Sequence, residues 1–510
     1  MADFKIAAIF SDRMVLQRRK PIRVFGEGEN GKQVLVSMLG KTATATVENE
    51  KWCATLPPFE AMDNVTLKVS CDGFEREFCD VAIGEVWLAG GQSNMELELQ
   101  NSKDGREVLK NIKDVNVRFY YTQKKPVIDA DFLESEKNTG WAKCSPETAA
   151  CWSAVGYYFG KLLSEKLGVT VGIVGCNWGG TTATNWVCEE VLSSDKQLND
   201  YLIDFENAKG GKSDEELIKE LAEYREYCAQ WDKRVGKCYA ENPKIKWDEV
   251  LKICGECRYP GPLGPTHEFR PNGLYETMLK RVAPYTMQGF IYYQGESDDH
   301  KPDYYQKLLT ALIKNWRELW ADNSMPFGIV QLTMFANETD PTDWTHWCRI
   351  REAQAAVSET VKNTQLAVII DVGEFNNIHP LDKETVGVRL ANLMLEDVYN
   401  MPCNAKAATL DYSYTDENKL IVKLKNCNEI TLKGEKSMLE IAGEDKVFYD
   451  ADIKLCGNTI EFTSENVKTP RYARYAFKCY GVPCLYSENG LPVAPFRTSK
   501  FDDNKAINER

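Results

Sequence analysis

Histidine is scarce in this sequence: four occur among 510 residues, His267, His300, His346 and His379. A reaction that needs a base titrating near neutral pH therefore has few side chains to draw on. Cations are in the minority as well. Lys and Arg number 62 against 76 Asp and Glu, a net charge of -14. That argues against a nucleic-acid partner, because phosphate backbones are bound by clustered Lys and Arg. No apolar run reaches the roughly 18 residues of a membrane-spanning helix. The stretch from Met1 to Phe10 has no basic segment leading into an apolar one. No signal peptide is read there, and the expected location is cytoplasmic. Internal repeats and low-complexity tracts are absent. Cys254-Gly-Glu-Cys257 has no second pair at zinc-ribbon spacing. The 17 cysteines, scattered from Cys53 to Cys484, read as free and mostly buried thiols of a reducing compartment. No metal and no organic cofactor is expected.

What is present divides the chain into three. Residues 1–80 carry short β-branched runs, such as Ile22-Arg-Val-Phe-Gly and Val65-Thr-Leu-Lys-Val-Ser, punctuated by turn residues. They predict a β-sandwich-like domain. From 81 to 404, apolar strands alternate with helical stretches. The strands include Glu85-Val-Trp-Leu-Ala-Gly, Val169 to Gly175, Phe290 to Tyr293, Phe327 to Leu332 and Leu366 to Asp371. The helices include Ser153 to Leu167, Tyr304 to Leu319 and Arg349 to Thr360. This alternation predicts an α/β domain with a parallel sheet. A polar helical stretch at about 190–260, containing Asp214-Glu-Glu-Leu-Ile-Lys-Glu-Leu, interrupts it. It reads as an insertion, either a lid over the site or a solvated decoration. Residues 405–510 return to β character, as a separate β-rich domain or as strands completing the first one.

Four motifs fall just after predicted strands, where α/β sheets place their sites. Gly90-Gly91-Gln92-Ser93-Asn94-Met95 offers a hydroxyl on a tight turn; its bland reading is a helix N-cap. Asn177-Trp178-Gly179-Gly180-Thr181 offers backbone N–H groups that glycines leave approachable. Tyr293-Gln294-Gly295-Glu296-Ser297 offers an amide and a carboxylate, or is a polar connecting loop. Asn376-Asn377-Ile378-His379-Pro380 offers the base, or a surface histidine. Together they supply nucleophile, base, acid and oxyanion donors, the set that acyl transfer requires.

These blocks resemble those of the SGNH hydrolases, most closely the sialate O-acetylesterase family with its acetylxylan esterase relatives. The resemblance rests on Gly84 to Met95, Trp178-Gly-Gly-Thr, Tyr293-Gln-Gly-Glu-Ser, Ile350-Arg-Glu-Ala-Gln and Ile378-His-Pro-Leu-Asp-Lys. Ser11 to Arg18 and Leu491 to Thr498 extend it towards the two ends. It implies an SGNH-type three-layer α/β/α domain flanked by β-rich segments. It implies Ser93 as nucleophile, His379 as base, and Ser93, Gly179, Gly180 and Gln294 around the oxyanion. Many members carry Asp three residues before the histidine, where this chain has Asn376. The acid is therefore assigned to Glu296, with a backbone carbonyl in the 376–377 loop as the alternative; Asp371 and Glu374 are also near in sequence. Trp178, Trp186, Arg270, Trp344 and His346 are candidates for lining a sugar pocket. The implied activity is deacetylation of sugars, sialate 9-O-acetylesterase-like, with acetylated xylo- or manno-oligosaccharides as the alternative substrates. A catalytically silent carbohydrate-binding protein is the reading from another class.

Overall fold

The computed structural model describes residues 4–499 apart from 114, 243, 244, 246, 259, 260 and 341–343. The outermost parts of the two end domains, 1–3 and 500–510, lie outside the described residues. Six strands form the parallel heart of the chain: β1 (Phe74–Gly91), β2 (Val117–Tyr121), β3 (Val171–Asn177), β4 (Gly289–Tyr293), β5 (Phe327–Val330) and β6 (Thr364–Ala367). They lie in the order β2-β3-β1-β4-β5-β6, all neighbours parallel. The longer helices are α2 (Ala154–Leu167), α3 (Asp214–Glu241), α4 (Pro302–Leu319), α5 (His346–Thr360) and α6 (Lys383–Asp397); a single turn, α1 (Ser93–Glu96), follows β1.

Side chains alternate across a strand, so each strand serves two faces. Trp87 meets Phe159 of α2, whereas a Cβ at its near neighbour Gly90 would lie 2.6 Å from the ring of Trp316 in α4. Helices thus cover both sides of the sheet. Their sequences fit that duty. Helix α4 starts with Pro302 at its first turn, a position that needs no N–H donor. It buries Tyr305, Leu308, Leu309, Leu312, Ile313 and Trp316, one continuous helical stripe. Helix α2 is capped by the Ser153 hydroxyl on Gly156 N–H and stops at Gly168, which has φ +65°.

Strand β1 runs straight through the boundary read at residue 80. Its first part pairs antiparallel with Met62–Cys71, and its last part pairs parallel with β3 and β4. The N-terminal β segment and the parallel sheet therefore share one strand. The C-terminal strands pair among themselves, in two four-stranded sheets and one pair, and enclose a second core around Val422, Ile441, Ile460, Phe462 and Tyr475.

The 190–260 region is helical, as the sequence predicts. Its main element, α3, has a capping box between Ser213 and Glu216 and buries only Leu217, Leu221, Trp231 and Cys238. It leans on the following loop through Arg225 to Glu268, 2.9 Å. The Cys254 and Cys257 thiols lie 3.7 Å from Cys238 and 3.9 Å from Cys228. No group of three metal-ligating side chains occurs among the described residues.

Candidate active site

Strand register brings three of the four motifs to one edge, and the loop after β6 brings the fourth to them. Gly91 pairs with Asn177 on one side and Tyr293 on the other. The chains leaving β1, β3 and β4 thus emerge side by side. At Gly91, φ is +132° and a Cβ would lie 2.1 Å from the Tyr293 carbonyl oxygen. Only glycine allows this close approach and this turn. Two residues on, Ser93 opens helix α1, half-buried. Gly179 lies against it: a Cβ there would be 3.3 Å from that of Ser93.

The Ser93 hydroxyl is 2.7 Å from His379 Nε2. That is hydrogen-bond contact between residues 286 apart in sequence, the geometry a nucleophile and its base need. The His379 backbone N–H donates to Asn377 Oδ1, 3.0 Å. Burial holds the imidazole pKa below the ordinary histidine value; the nearby Lys383 cation pushes the same way and Glu96 opposes. The ring is thus neutral, and able to accept a proton, at neutral pH.

The acid does not stand where the sequence reading places it. Glu296 is buried, and its Oε1 accepts from Asn94 Nδ2 at 2.6 Å rather than from His379; Oε2 has no hydrogen-bond partner among the described residues. Desolvation raises its pKa. The other carboxylates near the histidine in sequence are also engaged elsewhere. Asp371 makes a two-pronged contact with Arg389 at 2.6 and 2.7 Å. Glu374 accepts from Asn377 Nδ2 and from Leu381 N–H. Asn376 faces Glu338. Among the described residues no carboxylate is hydrogen-bonded to the His379 ring.

Gln294 is corrected in the same way. It is 0% exposed, and its amide nitrogen donates to Asp298 Oδ2 at 2.5 Å with Gln92 Oε1 and the Thr181 carbonyl nearby. An amide so occupied is a strut between loops, not a free oxyanion donor. Asp298 also accepts from Ala183 N–H, and burial pushes its carboxyl up to about 6. Of the two loop glycines, Gly179 N–H donates to Glu96 Oε2 at 2.6 Å, and Glu96 in turn pairs with Lys124 at 2.5 Å. Gly180, at φ +75°, makes no hydrogen bond through its N–H among the described residues.

The proposed sugar-facing residues separate. Trp186 is 0% exposed and its indole donates to Thr181 Oγ1; a ring sealed in the core cannot stack on a ligand. Trp178 is half-buried beside Gly179. Arg270 belongs to the loop whose Phe269 packs on Gly180, and it donates to the Pro126 carbonyl. Trp344 and His346 contact one another at 5.3 Å near the start of α5, and neither is hydrogen-bonded to Ser93 or His379. Clefts of about 640 and 320 Å³ lie elsewhere, around Asp104 to Val169 and around Asp63 to Cys144.

Three residues at the site had no role in the sequence reading, although all stand in motifs it used. Asn94 follows the serine, Lys383 ends the histidine motif, and Gln354 ends Ile350 to Gln354. Gln354 Nε2 donates to the Gln294 carbonyl, 3.0 Å, and its Oε1 accepts from Leu332 N–H, 2.8 Å. Asn94 and Lys383 are both buried and bonded to each other at 2.5 Å.

Residues 264–396 match a family model described as carbohydrate esterase, sialic acid-specific acetylesterase. The sialate O-acetylesterase of Mus musculus is 25% identical over 427 residues, 76% of this chain and 72% of that protein. Its Homo sapiens counterpart is 25% identical over 429 residues, 76% and 69% of the two chains. Among solved structures, a carbohydrate acetylesterase from Xanthomonas citri is similar over 97% of this chain and 99% of its own, with TM-score 0.78 and 26% identity. With this site on this mixed α/β fold, the chain is a carboxylic ester hydrolase. It is a relative of the sialate O-acetylesterases, as the motif resemblance implies.

Proposed function

We propose that the chain removes acetyl groups from O-acetylated sugars, with Ser93 as nucleophile and His379 as base. The observation that carries this is the 2.7 Å contact between Ser93 Oγ and His379 Nε2 at the edge where three strand-end loops meet. In the reaction, His379 Nε2 accepts the Ser93 proton as Oγ attacks the acetyl carbonyl. The negative charge that develops on the carbonyl oxygen faces the N–H groups of Ser93 and Gly180. His379 then gives the proton to the departing sugar oxygen, and water, activated the same way, releases acetate. No step calls on a metal or a cofactor.

The fold is read as the SGNH-type three-layer arrangement, with 81–404 as its domain, 1–80 and 405–510 as β-rich flanks, and 190–260 as an insertion. The insertion contacts the surroundings of the site through Arg225 on Glu268, next to Phe269, and through Asp204 on Lys301 and Asp200 on Tyr304 at the start of α4. O-acetylated sialic acid is the leading substrate class, supported by the relatives' names, and Arg270 is the cation suited to its carboxylate. The unpaired thiols support a cytoplasmic setting. The test is acetate release from 9-O-acetylated sialic acid and from acetylated xylo- and manno-oligosaccharides, beside Ser93→Ala. Release lost in the variant supports the assignment, and the preferred sugar decides the substrate class. Release equal in both proteins would refute Ser93 as nucleophile.

A further inference from the structure

We propose that Asn94 is the positioning residue of this site: it clamps both ends of the His379 loop to the turn that carries Ser93, in place of a carboxylate on the imidazole. The proposal rests on the reading of Ser93 and His379 as the reacting pair.

The geometry is a three-way bond. Asn94 Nδ2 donates to the Ile378 carbonyl at 2.9 Å and to Glu296 Oε1 at 2.6 Å, while Asn94 Oδ1 accepts from Lys383 Nζ at 2.5 Å. Ile378 immediately precedes His379, and Lys383 is the first residue of helix α6. One amide therefore holds the two ends of the segment 378–383. That amide belongs to the residue next to Ser93 along the chain. Its orientation is fixed by chemistry, because a carbonyl can only accept and an ammonium can only donate. Turned over, the amide would set oxygen against the Ile378 oxygen and nitrogen against the Lys383 nitrogen. Asn94 is 1% exposed and Lys383 1%, so water cannot take either place.

Lys383 and Glu296, a base and an acid, sit on opposite ends of this amide; burial pushes the Lys383 ammonium down to about 7 and raises the Glu296 carboxyl. The Lys383 ammonium also lies 5.3 Å from the Tyr293 ring centre. Its charge is felt at His379, where it opposes protonation; Glu96, from the first turn after β1 and itself paired with Lys124, acts in the opposite sense. Glu296, Glu374 and Asp382 are the carboxylates that face Lys383. The network thus sets both where the imidazole stands and how readily it takes a proton.

Asn94→Asp is the decisive substitution. It keeps the shape but replaces the donor to Ile378 and Glu296 with an acceptor. A misplacement of about 1 Å in such a pair lowers turnover about a hundredfold, so kcat should fall by about that factor with KM unchanged. Lys383→Met keeps the unbranched apolar stem, one atom shorter, and removes the charge. It should lower kcat less, and the acid limb of its pH profile of kcat/KM should move to higher pH, because His379 no longer faces that cation. A merely structural role would lower thermal stability and leave the limb in place. Fluorophosphonate labelling of Ser93 reads the same pair without any sugar, and should slow in both variants. It keeps the two readings separable: a wild-type protein that labels at Ser93 but releases no acetate refutes the sugar assignment and leaves the labelling rates to decide this one. A folded Asn94→Asp protein with wild-type kcat or labelling rate overturns the clamp. Should Asn94→Asp not fold, an unmoved acid limb in folded Lys383→Met overturns it.

Discussion

The residues on either side of Ser93 are both buried amides, and they work differently. Gln92 is met by the neutral side of the β4 loop: its Oε1 lies near Gln294 Nε2 and the N–H groups of Gly295 and Ser297, at 3.2–3.4 Å. Asn94 is met by two ionisable groups, Lys383 and Glu296, and by the histidine loop. One flank fastens the serine turn to the sheet edge; the other fastens it to the base. Long, shared contacts suit a scaffold, which tolerates small shifts. Short, charge-assisted ones suit a joint whose geometry must hold through proton transfer.

That contrast can be pressed experimentally. The largest effect is expected from the residues between the flanks: Ser93→Ala or His379→Ala should lower kcat by about 10⁶-fold, as loss of a nucleophile or base does in serine hydrolases, measured as acetate release. Next stands the Asn94 flank, with its kcat loss at constant KM. On the Gln92 flank the effect should fall on stability instead. Gln294→Leu leaves the Tyr305 hydroxyl and Asp298 short of partners, which should cost about 1–3 kcal/mol in denaturant unfolding, with KM little changed. Equal losses of turnover from both flanks would erase the distinction.

Two pH experiments are finer. Removing the Glu96 charge in Glu96→Gln should move the acid limb of kcat/KM to lower pH, opposite to Lys383→Met, since the two charges act on His379 with opposite sign. Asp298 has its carboxyl raised from 3.8 to about 6 in the folded state. Its protonated form favours folding below pH 3.8, and that contribution is lost as pH rises through about 6. Unfolding titrations of Asp298→Asn should lack this fall. The smallest change lies far from both flanks: Ser213→Ala removes the cap of α3 and should cost about 1 kcal/mol, with kcat intact.

The sequence made the strand ends legible because each motif sits where an apolar run stops and glycines begin. Helix α4 was readable from its periodicity, and the stop of α2 from Gly168. What could not be read was which way a side chain turns. Glu296 and Asp298 stand two apart in one loop, yet one meets Asn94 and the other Gln294 and Ala183. That choice is made largely by distant residues, Asn94 being 202 positions from Glu296 and Ala183 115 from Asp298, through packing that no local pattern records. The same holds for Trp186, whose burial depends on Thr181 and on α4 crossing above it. The extension of β1 past residue 80 was hidden because Glu75, Arg76 and Glu77 are exposed and polar; their strand identity comes from pairing with Met62–Cys71, not from apolar alternation.

The continuity of β1 bears on where this chain can be cut. A shortened protein starting near Phe74 would keep every residue of the hydrolase machinery, yet it would lose the partner of the first half of the strand that leads into Ser93. The bare N–H and C=O row from Phe74 to Val81 would become an open sheet edge, ready to pair with another copy. Such a fragment should aggregate rather than behave as a minimal enzyme. For protein engineering, the natural unit of exchange is therefore the β segment and the parallel sheet together.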